Sequence, residues 1–274
     1  MPTPARVHII LARAAETAVV IRRGPSKQVC TLQWNRTHDT FELGQWLKGR
    51  IYERRCDVSP DGKHFVYFAM NGKWSSESKG SWTAISQVPY LKAIGFWPNG
   101  SGWNGGGLFL SNDRYWLNVI PFSNQVRSQP PNMAADLNYP FHVRYGSECP
   151  GVYYVRLQRD GWQLVSRSRE TDTEITTFDK LINNEWTLRK HAFETCNPPG
   201  GKGVYFDRHE LIHRETGEEL DFPDWEWADV DRSRLVWVDS GVLFAGSPSK
   251  RGLASPTVLY DFNSLKFSAI QAPY

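Results

Sequence analysis

One pentapeptide has catalytic spacing: His209-Glu210-Leu211-Ile212-His213, the His-Glu-x-x-His pattern. On a helix the two imidazoles would share a face and hold a zinc ion, with the glutamate beside them as general base. The surroundings argue for another geometry. Gly200, Gly201 and Gly203 precede the motif and Thr216-Gly217 follows it. The stretch reads as strand, charged turn and strand, from Val204-Tyr205-Phe206 through Leu211-Ile212 to Leu220. On a strand rising ~3.3 Å per residue the two rings stand ~13 Å apart, too far to share one ion with Zn–N bonds of ~2.0 Å. No Gly-x-x-His continuation follows, so no metal site and no cofactor are expected.

A second constellation is Glu218, Glu219, Asp221, Asp224, Glu226, Asp229 and Asp231, interleaved with Trp225 and Trp227. Two carboxylates at a suitable separation can cleave a glycosidic bond, and indole faces can stack on sugar rings. A solvated, acid-rich turn accounts for the same residues. The stretch Asn99-Gly100-Ser101-Gly102-Trp103-Asn104-Gly105-Gly106-Gly107 lacks the Gly-Lys-Ser/Thr ending of a phosphate loop and the strand-to-helix setting of a dinucleotide fingerprint. It reads as a turn, with Trp97 beside it and Trp103 inside it as contact candidates. No Gly-x-Ser-x-Gly elbow is present, so a nucleophile and its base could meet only through folding.

The chain that must position these groups has 274 residues, enough for one all-β domain with a sizeable core. Its 12 Trp, 11 Tyr and 14 Phe favour sheet over helix. Thirty-two basic against 29 acidic residues leave a net charge of +3, too even to indicate a nucleic-acid or anionic-membrane surface. The basic pieces Arg22-Arg23, Arg54-Arg55 and Arg167 with Arg169 lie near acids and read as solvated faces. Cys30, Cys56, Cys149 and Cys196 follow no leader and are read as reduced and mostly buried. The apolar run Val7 to Ala12 is too short for a signal core or a membrane span and reads as a first strand, so a cytosolic location is expected.

Period-two alternation bounded by Gly, Pro, Asn and Asp recurs along the chain. It predicts strands over 7–13, 17–23, 28–34, 41–47, 64–69, 82–86, 92–97, 107–111, 114–120, 152–158, 161–167, 175–179, 186–192, 203–207, 209–214, 234–239, 241–245, 257–262 and 266–270. Val66-Tyr67-Phe68, Val152-Tyr153-Tyr154 and Val204-Tyr205-Phe206 read as repeated strand cores. Trp82 to Tyr90 is echoed by Phe267 to Tyr274, with Tyr90 and Tyr274 as repeat closures. The anchors Val19, Val66, Leu108, Val152, Val204 and Val236 bracket the ~40–50 residues of a four-stranded propeller blade. Cys56, Cys149 and Cys196 fall at similar places before such cores and read as inter-blade filling. Residues 121–140 and 246–256 are the longest loops.

Cys56-Asp57-Val58-Ser59-Pro60-Asp61-Gly62-Lys63-His64-Phe65-Val66 resembles the repeats of TolB-like and WD-type β-propellers, in which an Asp-x-Ser-Pro-Asp-Gly turn leads into the next strand. A degenerate echo begins at Asp229. The resemblance implies a fold and brings no catalytic residues. The expectation is thus all-β: a single β-propeller domain of five or six blades over 1–274, the same strands being able also to build a sandwich. The expected role is a non-catalytic protein–protein interaction platform touching its partner through Trp97, Trp103, Trp225, Trp227, Asp224 and Glu226. The alternative is a carbohydrate-binding or glycoside-hydrolysing propeller using the acid and Trp cluster near 218–231. Neither a membrane nor a nucleic acid is an expected partner.

Overall fold

The structure, a computed structural model, describes residues 3–24, 27–118, 128–139, 145, 148–250 and 252–274. Of the expected features, residues 119–120 of one strand, residues 121–127 and 140 of one loop and residue 251 of the other lie outside the described residues.

The fold is all-β, built as successive sheets. The first holds β1 (Arg6–Leu11), β2 (Thr17–Arg23), β3 (Gln28–Asn35) and β4 (Thr40–Lys48) in chain order. The second holds β5 (Arg50–Ile51), β6 (Asp57–Val58), β7 (His64–Met70), β8 (Ser81–Gln87) and β9 (Ala93–Pro98), with both β5 and β6 paired to β7. The third is small: β10 (Gly107–Phe109), β11 (Arg114–Leu117) and β12 (Ala134–Ala135). After helix α1 (Cys149–Arg159), a fourth sheet runs β13 (Gln163–Glu170), β14 (Thr173–Leu181), β15 (Trp186–Thr195), β16 (Tyr205–His213) and β17 (Glu219–Phe222). The fifth is β18 (Trp225–Asp231), β19 (Arg234–Asp239), β20 (Val242–Ser249) and β21 (Gly252–Asp261). No described helix is long and apolar enough to cross a membrane.

Contacts divide the chain into two compact units, a larger one of His8–Leu157 with Lys266–Tyr274 and a smaller one of Met1–Val7 with Gln158–Leu265. The larger unit closes over a core including Val19, Ile21, Ile51, Phe65, Tyr67 and Trp82. In the smaller unit Phe222, Trp225, Trp237 and Phe244 form a stacked ladder with ring centroids 4.1, 5.2 and 5.5 Å apart. Stacked aromatic pairs of this kind add to the free energy of burying their area.

The Asp57 to Gly62 turn is formed as its residues dictate. Ser59 Oγ donates to Asp61 Oδ1 (2.6 Å) and accepts from His64 N (2.9 Å), closing the turn onto β7. Gly62 takes φ +73°, and a methyl group there would stand 1.9 Å from Thr17 Cγ2, so both conformation and space require glycine. Asp57 is fully buried, and its Oδ2 accepts from Phe109 N at 2.7 Å, tying the second sheet to β10. Asp229, its expected echo, instead accepts from Lys180 Nζ at 2.6 Å.

Several expectations are corrected. Residues 152–158 are helical, not a strand. Pro150 is accommodated in the first turn, where its missing N–H has no intrahelical partner. Val152, Tyr153 and Tyr154 are fully buried there, and the guanidinium groups of Arg54 and Arg156 lie 4.7 and 5.3 Å from the Tyr153 ring centroid. Burying such side chains is worth more than the ~1 kcal/mol span of strand propensity, so packing overrides local preference. The two strands expected over 203–207 and 209–214 are a single one, β16 (Tyr205–His213), and 219–222 and 225–231 are strands as well. Residues 266–270 form no strand. The tail is held by side chains: Gln45 Nε2 donates to Ile270 O (2.9 Å), and Tyr274 Oη donates to Lys92 O (2.7 Å) and accepts from Gln87 N (3.0 Å). Tyr90 and Tyr274 therefore meet edge to face at 6.1 Å rather than closing equivalent repeats. The cysteines are free, but Cys56, Cys149 and Cys196 are not equivalent, since the first two are buried and Cys196 is exposed.

Candidate functional site

The His-Glu-x-x-His segment lies within β16, and its alternation separates the groups that a zinc protease must bring together. His209, Leu211 and His213 point inward while Glu210 and Ile212 face outward. His213 sits edge-on to Trp186 at 4.9 Å, and its Nδ1 accepts from Thr216 N at 3.2 Å. His209 is 0% exposed, and its neighbour across the ladder is the equally buried Lys190. Burial, joined by the charge of Lys190, pushes its pKa down to about 3, with Asp207, the Trp225 backbone and Asp229 opposing. The Trp225 backbone acts from alongside, without reaching a ring nitrogen in hydrogen-bonding geometry. Such a group is a neutral core imidazole.

The acid cluster is distributed over strands and a turn, and most of its members are engaged. Asp221 pairs with Arg208 (2.7 Å), Asp229 with Lys180 (2.6 Å), Asp231 with Arg234 (2.9 Å) and Glu219 with Arg189 (3.8 Å). Glu226 Oε2 accepts from Val7 N at 3.0 Å, fastening the start of the chain to β18. Asp224 is exposed on the turn between β17 and β18. Trp225 and Trp227 are core residues, with Trp225 inside the stacked ladder, and neither offers a face to a sugar or a partner.

Folding does assemble one nucleophile–base–acid chain that the sequence does not announce. Thr177 Oγ1 lies 3.0 Å from His191 Nδ1, and His191 Nε2 lies 3.1 Å from Glu210 Oε2. Connectivity alone does not make it catalytic. The three residues stand on adjacent strands, and β14, β15 and β16 are each paired on both sides, so their backbone N–H groups serve the ladders rather than an oxyanion. Thr177 is itself only 6% exposed. The arrangement is a cross-strand polar ladder beside the bidentate Arg189–Asp179 pair (2.8 and 2.9 Å).

The exposed aromatic residues of the larger unit tell a different story. Trp97 is buried in β9, 5.7 Å from the Tyr115 ring. Trp103 is 68% exposed on the loop from β9 to β10, and Trp74, which sequence reasoning missed, is 53% exposed on the loop from β7 to β8. The two loops are joined. Ser81 Oγ donates to Ser101 O (2.7 Å), and Asn99 N donates to Ser81 O (2.8 Å). Trp74 lies flat over Gly80, where a methyl group would meet its Cε3 at 2.4 Å. Asn99 Nδ2 donates to Ser101 O (3.0 Å) and Trp103 O (2.9 Å). From beneath, the buried Arg55 donates through Nη1 to Gly102 O (2.8 Å) and to Asn104 O, and through Nη2 to Glu148 (3.2 Å). Arg55 looked like part of a solvated basic face in the sequence; its burial depends on α1 and the 99–106 loop, both distant along the chain. The result is a fixed loop pair that presents two indoles to solvent.

No protein-family model matches the chain, and no curated relative does. A solved structure similar in outline is that of the GH43 BlXynB protein from Bacillus licheniformis, with 10% identity and a TM-score of 0.32, covering 99% of this chain. This chain spans 60% of the length of that one. At this level the likeness assigns neither a family nor a role to any residue.

Proposed function

We propose that this chain is a non-catalytic, propeller-type platform that binds a protein partner through the paired loops carrying Trp74 and Trp103, and that it does so in the cytosol. The observation that carries the reading is the pinned loop. A tryptophan 68% in water gives the fold little, yet buried Arg55 and Asn99 fix the backbone beneath it. Preorganised aromatic anchors are the residues that dominate interface energetics. The successive sheets of chain-adjacent strands support the propeller part of the reading. The engaged acids support the non-catalytic part.

A second reading, a sugar ligand, is favoured by the exposed indoles of Trp74 and Trp103, whose faces suit stacking on a sugar ring. Affinity capture from native lysate, comparing the protein with its Trp74→Ala/Trp103→Ala variant, tests the primary reading. A stoichiometric protein lost from the variant supports it. Glycan binding lost on the same substitutions, with no such protein, would replace it with the second. Loss of binding or hydrolysis on Asp224→Ala alone would return the function to the acid cluster.

A further inference from the structure

The chain holds three Asn-Gly dipeptides, Asn71-Gly72, Asn99-Gly100 and Asn104-Gly105, and all three fall in the two joined loops that carry Trp74 and Trp103. Asparagine before glycine is the pairing most open to spontaneous deamidation, because a residue without a side chain lets its own peptide nitrogen reach the asparagine carboxamide. That nitrogen must be unengaged and reachable by solvent base. The structure separates the three dipeptides on this count. Gly72 N donates to Gly80 O at 3.1 Å, and Gly105 N donates to Asn118 O at 2.5 Å, with Asn104 itself buried. Gly100 is exposed, and its N–H makes no hydrogen bond among the described residues. The Asn99 carboxamide is also turned towards it: Nδ2 donates to Ser101 O and Trp103 O, so the side chain folds forward along the stretch that Gly100 begins.

We propose that Asn99 is a modification site, at which the folded protein deamidates ahead of Asn71 and Asn104, and that the product releases the loop presenting Trp103. In the step, Gly100 N gives up its proton and bonds to Asn99 Cγ while the Cγ–Nδ2 bond breaks. The amino group takes up a proton and leaves as ammonia, closing a succinimide ring. Water then splits one of the two C–N bonds that hold Gly100 N in the ring. Its hydroxyl goes to the carbonyl carbon and its proton to Gly100 N, leaving aspartate or β-linked isoaspartate at position 99. No oxidant or reductant is consumed. Either product replaces the Nδ2 donor by a carboxylate, which only accepts. The carbonyls of Ser101 and Trp103 lose their donor and face a negative charge in its place, and the isoaspartate also lengthens the backbone by a methylene group. Gly100 has its own reason to be there, since its φ of +72° suits glycine. On the platform reading above, on which this consequence alone rests, the reaction is a one-way loss of the preorganisation of Trp103.

Peptide mapping of the full chain held at mildly alkaline pH, beside the same chain held in urea, tests the site. In the folded protein Asn99 should convert severalfold faster than Asn71 and Asn104, while in urea the three should convert at similar rates. Asn99→Gln, whose longer side chain closes a less favourable ring, should suppress conversion at that position. Folded protein in which Asn71 or Asn104 converts as fast as Asn99, or in which Asn99 stays intact while converting in urea, would overturn the proposal. The converted protein can be separated from the parent by its added negative charge, and Asn99→Asp supplies one of the two products directly. Both should exchange the amides of residues 99–106 severalfold faster than the parent. Exchange unchanged in the converted protein would overturn the release of the loop. None of these readouts involves a partner, so they succeed or fail apart from the platform reading.

Discussion

Acidification to about pH 5 should weaken this protein through His209. The imidazole has an ordinary pKa of 6.5 and a folded value of about 3, because burial and then Lys190 oppose its charge more than Asp207 and Asp229 favour it. Above pH 6.5 it is neutral folded or unfolded, and it contributes nothing to pH dependence. As pH falls below 6.5 the unfolded chain takes up the proton and the folded chain does not, so stability is lost down to about pH 3. At about pH 5 the gap of ~1.5 pH units from the unfolded value amounts to ~2 kcal/mol, at ~1.36 kcal/mol per unit. Urea unfolding at about pH 7.5 and about pH 5, on the protein and on His209→Leu, isolates this residue because every other titrating group is common to both. The protein should lose ~2 kcal/mol more than the variant over that interval. Equal losses would mean that His209 is charged in the folded state and would refute the reasoning about its surroundings.

Three further perturbations address the fold and the loop surface. Gly62→Ala should cost ~1–3 kcal/mol in chemical denaturation, from positive φ and the clash with Thr17, and Thr17→Ser should restore part of the loss by removing Cγ2. Arg55→Ala should destabilise the larger unit by ~3 kcal/mol, since it removes a buried cation beside Glu148 and the donor to the carbonyls of Gly102 and Asn104; hydrogen exchange in residues 99–106 should rise with it. Trp225→Ala should cost ~3–5 kcal/mol as a core cavity, whereas Trp103→Ala should stay within ~0.5 kcal/mol of the parent in the same melts.

Strands made of β-branched runs between turn residues were legible in the sequence: Thr17 to Arg23 and Arg234 to Asp239 form at the expected bounds. The Pro-Asp-Gly turn was equally legible, because proline and glycine fix its dihedral angles locally. Val152-Tyr153-Tyr154 misled because full burial, with the sequence-distant Arg54 over the Tyr153 ring, decides its state through tertiary contact. The stretch from Trp225 to Asp231 hid its strand because the acids read as a solvated turn, although Trp225 and Trp227 already alternate. Asp229, with Glu219 and Asp221 just before the strand, finds a cation on β14, β15 or β16, which no local pattern reveals. Of the candidate contacts, Trp103 declares itself by its glycine-rich surroundings, while Trp74 is identified only by its exposure beside the same loop.

The measurement that bears most directly on the platform reading is amide-exchange footprinting of the protein with its captured partner bound. Protection confined to residues 71–80 and 99–106, and abolished in Trp74→Ala/Trp103→Ala, is the predicted result. Protection centred on residues 218–231, with those two loops exchanging as in the unbound protein, would contradict it.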